Sequence, residues 1–123
     1  VIRGIGIDVV AVERMRRWLE DIELLHRFFA PEEREAIYER KDGAALSLAA
    51  RFAAKEAFAK ALGTGFKGFA LRDVWVVNDA LGKPTLRVTG PAERALRRIG
   101  GSTLWLSLTH EREHAIAMVV IES

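Results

Sequence analysis

RFAAKEAFAKALGTG, residues 51–65, is an alanine-rich run with Phe52 and Phe58 inside it and Gly63 just past its end. Such residues favour a helix, and a glycine after the last periodic position stops one. The spacing predicts a long helix from about Ala44 to Leu62, with Gly65 behind the stop. Its four charges do not gather on one polar face. With Phe52 as reference, Glu56 and Lys60 lie about 40° and 80° to one side, Arg51 and Lys55 about 100° and 60° to the other. A helix that is apolar almost all round, with two narrow charged seams, is a buried helix.

The flanking sequence supplies what would bury it. Residues 2–10 are rich in Ile and Val and alternate loosely, which predicts a strand. Val12, Met15, Trp18 (or Leu19), Ile22 and Leu25 fall at helical spacing, and APEER (30–34) starts a further helix with Pro31 in its first turn. LRDVWVV (71–77) and PTLRV (84–88) flank the turn-rich NDALGK and predict a hairpin. GPAERALRRIGG (90–101) is a short helix closed by glycines. TLWLSLTH (103–110) alternates Leu104, Leu106 and Leu108 against Trp105 and Ser107. AIAMVVIE (115–122) is apolar on both faces, so the long helix must cover one, and either another element or another subunit the other. The pattern is α+β, with a mostly antiparallel sheet packed against a long central helix, in a single domain over residues 1–123.

Of the 123 residues half are hydrophobic, 29% are charged and none is cysteine. That excludes disulfide staples, thiolate metal sites and a cysteine nucleophile. No apolar run reaches the roughly 18 residues of a membrane span. VIRGIGIDVV carries no basic lead and no small-residue cleavage site, so the cytoplasm is the expected compartment. A formal net charge of +2 does not advertise nucleic-acid binding. ERMRRW (13–18) and ERALRRIG (93–100) cluster arginines, each either a solvated helix face or a docking patch for an acidic partner.

Glu56 is the most informative charge. A surface ion pair with Lys60 is its plain reading, worth about 0.3–0.5 kcal/mol. But Glu56 lies among Phe52, Ala49 and Ala53, where a carboxylate is costly unless a cation or donor meets it. Asp8 interrupts the apolar strand GIGIDVV, either as a cap for the next segment or as a second carboxylate. Two carboxylates on separate elements, without cysteine, suit magnesium, which leaves its remaining positions to water and phosphate. Lys60 and GTGFKGF (63–69) would face such phosphates, although capping alone explains Gly63 and a helix C-terminus repels anions. His110 ends a strand and is either an anion contact or an exposed histidine without a role.

GIGIDVVAVERM (4–15), RFAAKEAFAKALGTG (51–65), LGKP (81–84) and SLTHEREHAIAMVVIES (107–123) together resemble the short bacterial holo-[acyl-carrier-protein] synthases, the small trimeric class of 4′-phosphopantetheinyl transferases. The resemblance spans nearly the whole chain and is least diagnostic over residues 20–45. It implies the 4′-phosphopantetheinyl transferase fold and transfer of 4′-phosphopantetheine from coenzyme A to a serine of apo acyl carrier protein. It makes Asp8 and Glu56 the magnesium ligands and Lys60 the contact to the coenzyme A phosphates, these three being catalytic. It places Arg51, Gly63, Gly65, Pro84 and His110 along the coenzyme A site, and Arg14, Met15 and Arg17 on the carrier-protein docking surface. It implies a homotrimer with active sites between subunits, acting in fatty acid biosynthesis. The serine's base stays open between Glu56 and a metal-bound water. Where the family often has a basic residue this chain has Gly43, so Arg40 or Lys41 would substitute. Lys55 receives no role. The rival readings are a non-catalytic coenzyme A or carrier-protein module, which would need neither Asp8 nor Glu56, and a nucleic-acid binder, which would interleave aromatics with its basic patches.

Overall fold

The structure is a computed structural model and describes residues 1–123. Its elements are β1 (Ile2–Ala11), α1 (Val12–Trp18), α2 (Ile22–Phe28), α3 (Pro31–Glu39), α4 (Ala44–Leu62), β2 (Val74–Asn78), β3 (Pro84–Val88), α5 (Gly90–Arg98), β4 (Thr103–His110) and β5 (His114–Glu122). Short 3-10 turns occupy Lys41–Gly43 and Leu71–Asp73. The helix α4 covers the span that its spacing predicts. Gly63 ends it in the left-handed region at φ 81°, where a side chain would be strained. Fourteen of its nineteen residues are buried, so the helix is enclosed rather than amphipathic.

All strand pairs are antiparallel, as the α+β reading expects, but they form two sheets. One has the order β1-β5-β4, and β2 and β3 form a separate hairpin. Strand alternation gives the larger sheet two faces. Gly4, Gly6, Asp8 and Val10 of β1 share the inner face with Ala115, Ala117, Val119 and Ile121 of β5, which pack on α4. The outer face presents Ile5, Ile7 and Val9 of β1, Met118 of β5 and Trp105 of β4, each 41–60% exposed. Within this chain nothing covers the second apolar face of β5.

Glycine sets how closely β1 meets α4. A Cβ on Gly4 would lie 2.0 Å from the Ala61 carbonyl oxygen, and one on Gly6 1.9 Å from that of Ala57. Backbone therefore rests on backbone. Two strand residues advance about 6.7 Å and four helix residues about 6 Å, so Gly4–Ala61 and Gly6–Ala57 stay in phase. One further strand step brings Asp8 beside the next turn of α4.

The helical periodicity from Val12 to Leu25 does not form one helix. The chain breaks at Leu19–Asp21, where the Asp21 carboxylate accepts the Leu24 N–H at 3.0 Å and starts α2 afresh. Ile22 falls off the apolar stripe in consequence and is 65% exposed. No helix is long and apolar enough to cross a membrane.

Gly6→Ala tests the backbone contact. The added methyl must push β1 off α4, so urea denaturation should show a loss of about 2–3 kcal/mol. An unchanged midpoint would mean that the contact does not set the strand's position.

Candidate active site

The two charged seams of α4 meet different neighbours. On the Glu56–Lys60 side the inner face of β1 delivers Asp8. The Lys60 ammonium donates to the Asp8 Oδ1 at 2.9 Å and to the Ile7 carbonyl at 3.1 Å. The hydrogen bond to Asp8 raises the pKa of Lys60 and keeps it protonated. The i,i+4 pair between Glu56 and Lys60 does not form, because the lysine reaches across to β1 instead. Glu56 is left half-buried with no ion-pair partner. Burial raises its carboxyl pKa, the Asp8 charge raises it further, and Lys60 and Arg14 oppose both.

Asp8, Glu56 and Lys60 are thus brought together: two carboxylates short of positive charge beside an ammonium. No third carboxylate or histidine joins them to complete a metal cage. Such a donor set fits an ion that takes one or two carboxylates and finds its other ligands in water and phosphate. Gly63 and Gly65 follow directly, both at positive φ, with open space where a Cβ would stand. Edge-to-face packing of Phe58 on Phe69, 5.7 Å between centroids, ties the glycine loop back to α4.

The other seam is buried and paired. Lys55 is fully buried, and its ammonium meets the Glu33 Oε1 of α3 at 2.6 Å. It also donates to the Leu71 carbonyl at 3.0 Å and to that of Val74. Burial pushes the Lys55 pKa down, and the Glu33 carboxylate opposes that shift. Arg51 donates through Nη1 to the Val76 carbonyl at 2.9 Å and through Nε to the Ser47 hydroxyl at 3.3 Å.

Beside Arg51 a cleft of about 240 Å³ opens, lined by Arg40, Ser47, Asn78 and His110 among others. Three cationic or protonatable groups therefore face one small volume. Arg40 also lines the cleft beside Gly43, whereas Lys41 does not. Burial lowers the pKa of Arg51, Glu33 opposes this, and the neighbouring Arg40 charge lowers it further. Pro84 stands across the hairpin from Asn78, which lines the cleft, but is not itself part of the lining.

On α1 the expected docking residues divide. Arg17 is exposed. Arg14 stacks its guanidinium on Trp18 and Phe52, 5.8 and 5.3 Å from their centroids, on the Glu56 side. Met15 does not belong to that surface. It is completely buried, because its position on α1 faces the core, and it anchors the helix rather than presenting it. Sequence reading missed Glu33. As one of the acids opening α3 it looks like Glu32, and only tertiary packing turns it toward Lys55.

Comparison with known proteins bears on the family and the fold. Residues 4–119 match the 4′-phosphopantetheinyl transferase superfamily. The holo-[acyl-carrier-protein] synthase of Treponema denticola is 54% identical over 122 residues, covering 99% of each chain. The crystal structure of the synthase from Neisseria meningitidis superposes with a TM-score of 0.87 at 36% identity, covering 100% of both chains. That of a synthase from Bacillus anthracis, in complex with coenzyme A (3′,5′-ADP), gives 0.83 at 35% identity over 99% of this chain and 97% of that one. With its fold, its paired carboxylates and its cationic cleft in place, this chain belongs to the 4′-phosphopantetheinyl transferase superfamily, among the holo-[acyl-carrier-protein] synthases.

Proposed function

We propose that the chain, one catalytic domain acting in the cytoplasm, transfers 4′-phosphopantetheine from coenzyme A to a serine hydroxyl of apo acyl carrier protein in support of fatty acid biosynthesis. The observation that carries this reading is the meeting of Asp8, Glu56 and Lys60 where β1 rests on α4. The serine oxygen forms a bond to the β-phosphorus of coenzyme A. The bond from that phosphorus to the bridging oxygen breaks, and adenosine 3′,5′-bisphosphate leaves. Magnesium, held by Asp8 and Glu56, would supply neutralising charge for the diphosphate. Lys60, kept protonated by Asp8, stabilises the phosphoryl oxygens as charge builds on them. Glu56, the carboxylate here without an ion-pair partner, is the chain's own group placed beside the reacting phosphoryl to accept the serine proton, either directly or through water. Arg51, Arg40 and His110 bind the nucleotide end, with Gly63, Gly65 and Pro84 bordering its path. Arg14 and Arg17 receive the carrier protein.

The cleft and the carboxylate seam lie on opposite sides of α4, so a neighbouring chain completes each site in a homotrimer. The apolar outer face of β1-β5-β4 is the surface for that assembly.

The direct test incubates the protein with coenzyme A, magnesium and apo carrier protein and weighs the carrier. Wild type should add one phosphopantetheine per carrier, and Glu56→Gln should abolish most of the transfer. An inactive wild type would refute the reading, and a fully active variant would refute the metal assignment.

Thermal unfolding separates the same site from activity. Because the folded pKa of Glu56 is raised, the folded state binds more protons than the unfolded state between the two values. Stability of the metal-free protein therefore falls as pH rises through that window. Glu56→Gln should match or exceed the metal-free wild type at neutral pH and lose the rise in Tm that magnesium gives it. A magnesium shift retained in the variant would place the ion elsewhere.

Arg17→Glu should raise the KM for carrier protein about ten-fold at low salt and leave that for coenzyme A unchanged. Equal rises in both would misplace the docking surface. Ile7→Lys puts a charge on the outer sheet face and should give a folded monomer without transfer activity in sedimentation and assay. An active monomer would exclude the shared-site arrangement.

A further inference from the structure

The Glu33–Lys55 pair takes no part in the transfer proposed above, yet it is the most completely buried charge pair in the chain, both side chains being 0% exposed. A plain stabilising role explains it poorly. Taking two ions out of water costs several kcal/mol each, and an apolar pair of similar size often serves stability as well. Its contacts point elsewhere.

The edge of β2 that faces away from β3 has no strand beside it. Side chains from α3 and α4 occupy that edge in order. Lys55 takes the Val74 carbonyl, the Glu33 Oε2 accepts the Val76 N–H at 3.4 Å, and Arg51 takes the Val76 carbonyl at 2.9 Å. The Val76 backbone is thereby held at its N–H by Glu33 and at its C=O by Arg51. Glu33 is also the carboxylate nearest Arg51, 3.9 Å from its Nη1. Arg51 would otherwise stand against Lys55 and Arg40 with no counter-charge. Its Nε and Nη1 are committed to protein acceptors, while Nη2 has none. No buried side-chain nitrogen is left unpaired, so Nη2 opens to the cleft.

We propose that Glu33 and Lys55 are positioning residues for coenzyme A: by fixing the free edge of β2 and the Arg51 guanidinium, they hold the cationic wall of the cleft in its binding geometry. This rests on the transferase reading but assigns work to two residues which that reading leaves idle. Neither touches substrate. Their effect falls on substrate affinity, because Asp8, Glu56 and Lys60 stand on the opposite seam.

The test compares Glu33→Gln with the double substitution Glu33→Leu/Lys55→Met, which removes both charges together and strands neither. In whichever variant folds, judged by circular dichroism and a cooperative melt, the KM for coenzyme A should rise about ten-fold while kcat stays within about two-fold of wild type. Because the wall of Arg51, Arg40 and His110 would meet the 3′-phosphate, calorimetric titration should show the same loss for coenzyme A and almost none for 3′-dephospho-coenzyme A, a selectivity that general loosening of the fold would not produce. Should neither variant fold, hydrogen exchange on the wild type decides, since the Val76 amide should gain protection when coenzyme A binds. A folded variant with unchanged KM, a loss confined to kcat, equal weakening of both nucleotides, or an unprotected Val76 amide would overturn the inference. A wild type that transfers nothing would fail the transferase reading instead, so the two failures are distinguishable.

Discussion

A helix buried over most of its surface must find a partner for nearly every charge it carries, and the arrangement around α4 follows from that constraint. The body of the helix is alanine, leucine and phenylalanine, and strands and helices close over it on all sides. Lys55 reaches α3 and the edge of β2, Arg51 reaches β2 and Ser47, and Lys60 reaches β1. Glu56 alone is left without an ion-pair partner in contact with it. A half-buried carboxylate kept in that state, next to a second one, is a standing demand for a cation.

The demand is sharpened by a strand that lies unusually close and adds a second carboxylate. Gly4 and Gly6 let β1 touch the backbone of α4, and the matching repeat of strand and helix carries that register on to Asp8. Any side chain at Gly6 would lift Asp8 away from Glu56 and Lys60. The glycines therefore do chemical duty through geometry, although neither has an atom in the reaction. On the proposed reading, the buried Glu33–Lys55 pair acts in the same manner on Arg51.

Much of this was legible in the chain. The span and stop of α4, the hairpin of β2 and β3, the alternation of β4 and the opposed seams all come from local periodicity and capping, which depend on neighbours in sequence. Asp8, Glu56 and Lys60 also stood out, because charges inside apolar runs are conspicuous. Two misses have one cause. Glu33 reads as an ordinary acid in a first helical turn, and Ile22 as the continuation of a stripe. Each depends on which side of a short helix meets the core, and that is set by tertiary packing after the chain breaks at Asp21. Met15 is different: its apolar spacing already put it on the core stripe, and only the resemblance placed it on the docking surface. Lys55 could be seen as a buried charge but not explained without its partner 22 residues away.

The helix also constrains how the two half-sites can cooperate. Arg51 and Glu56 are five residues apart, about 7.5 Å along the axis, but face opposite sides of a body about 10 Å across. A substrate seated against Arg51, Arg40 and His110 has the helix between it and the carboxylates of the same chain. For one coenzyme A to reach a cationic cleft and a carboxylate pair together, the two must come from different chains. The same sheet that buries Asp8 on its inner face leaves Ile5, Ile7, Val9, Met118 and Trp105 uncovered on its outer face. On the proposed reading, the apolar surface that drives assembly and the division of the site between seams are one design. Rigid α4 fixes the spacing within a chain, and packing of the sheets fixes it between chains. Substitutions on the outer sheet face would then act on catalysis while lying far from every charged group in the reaction.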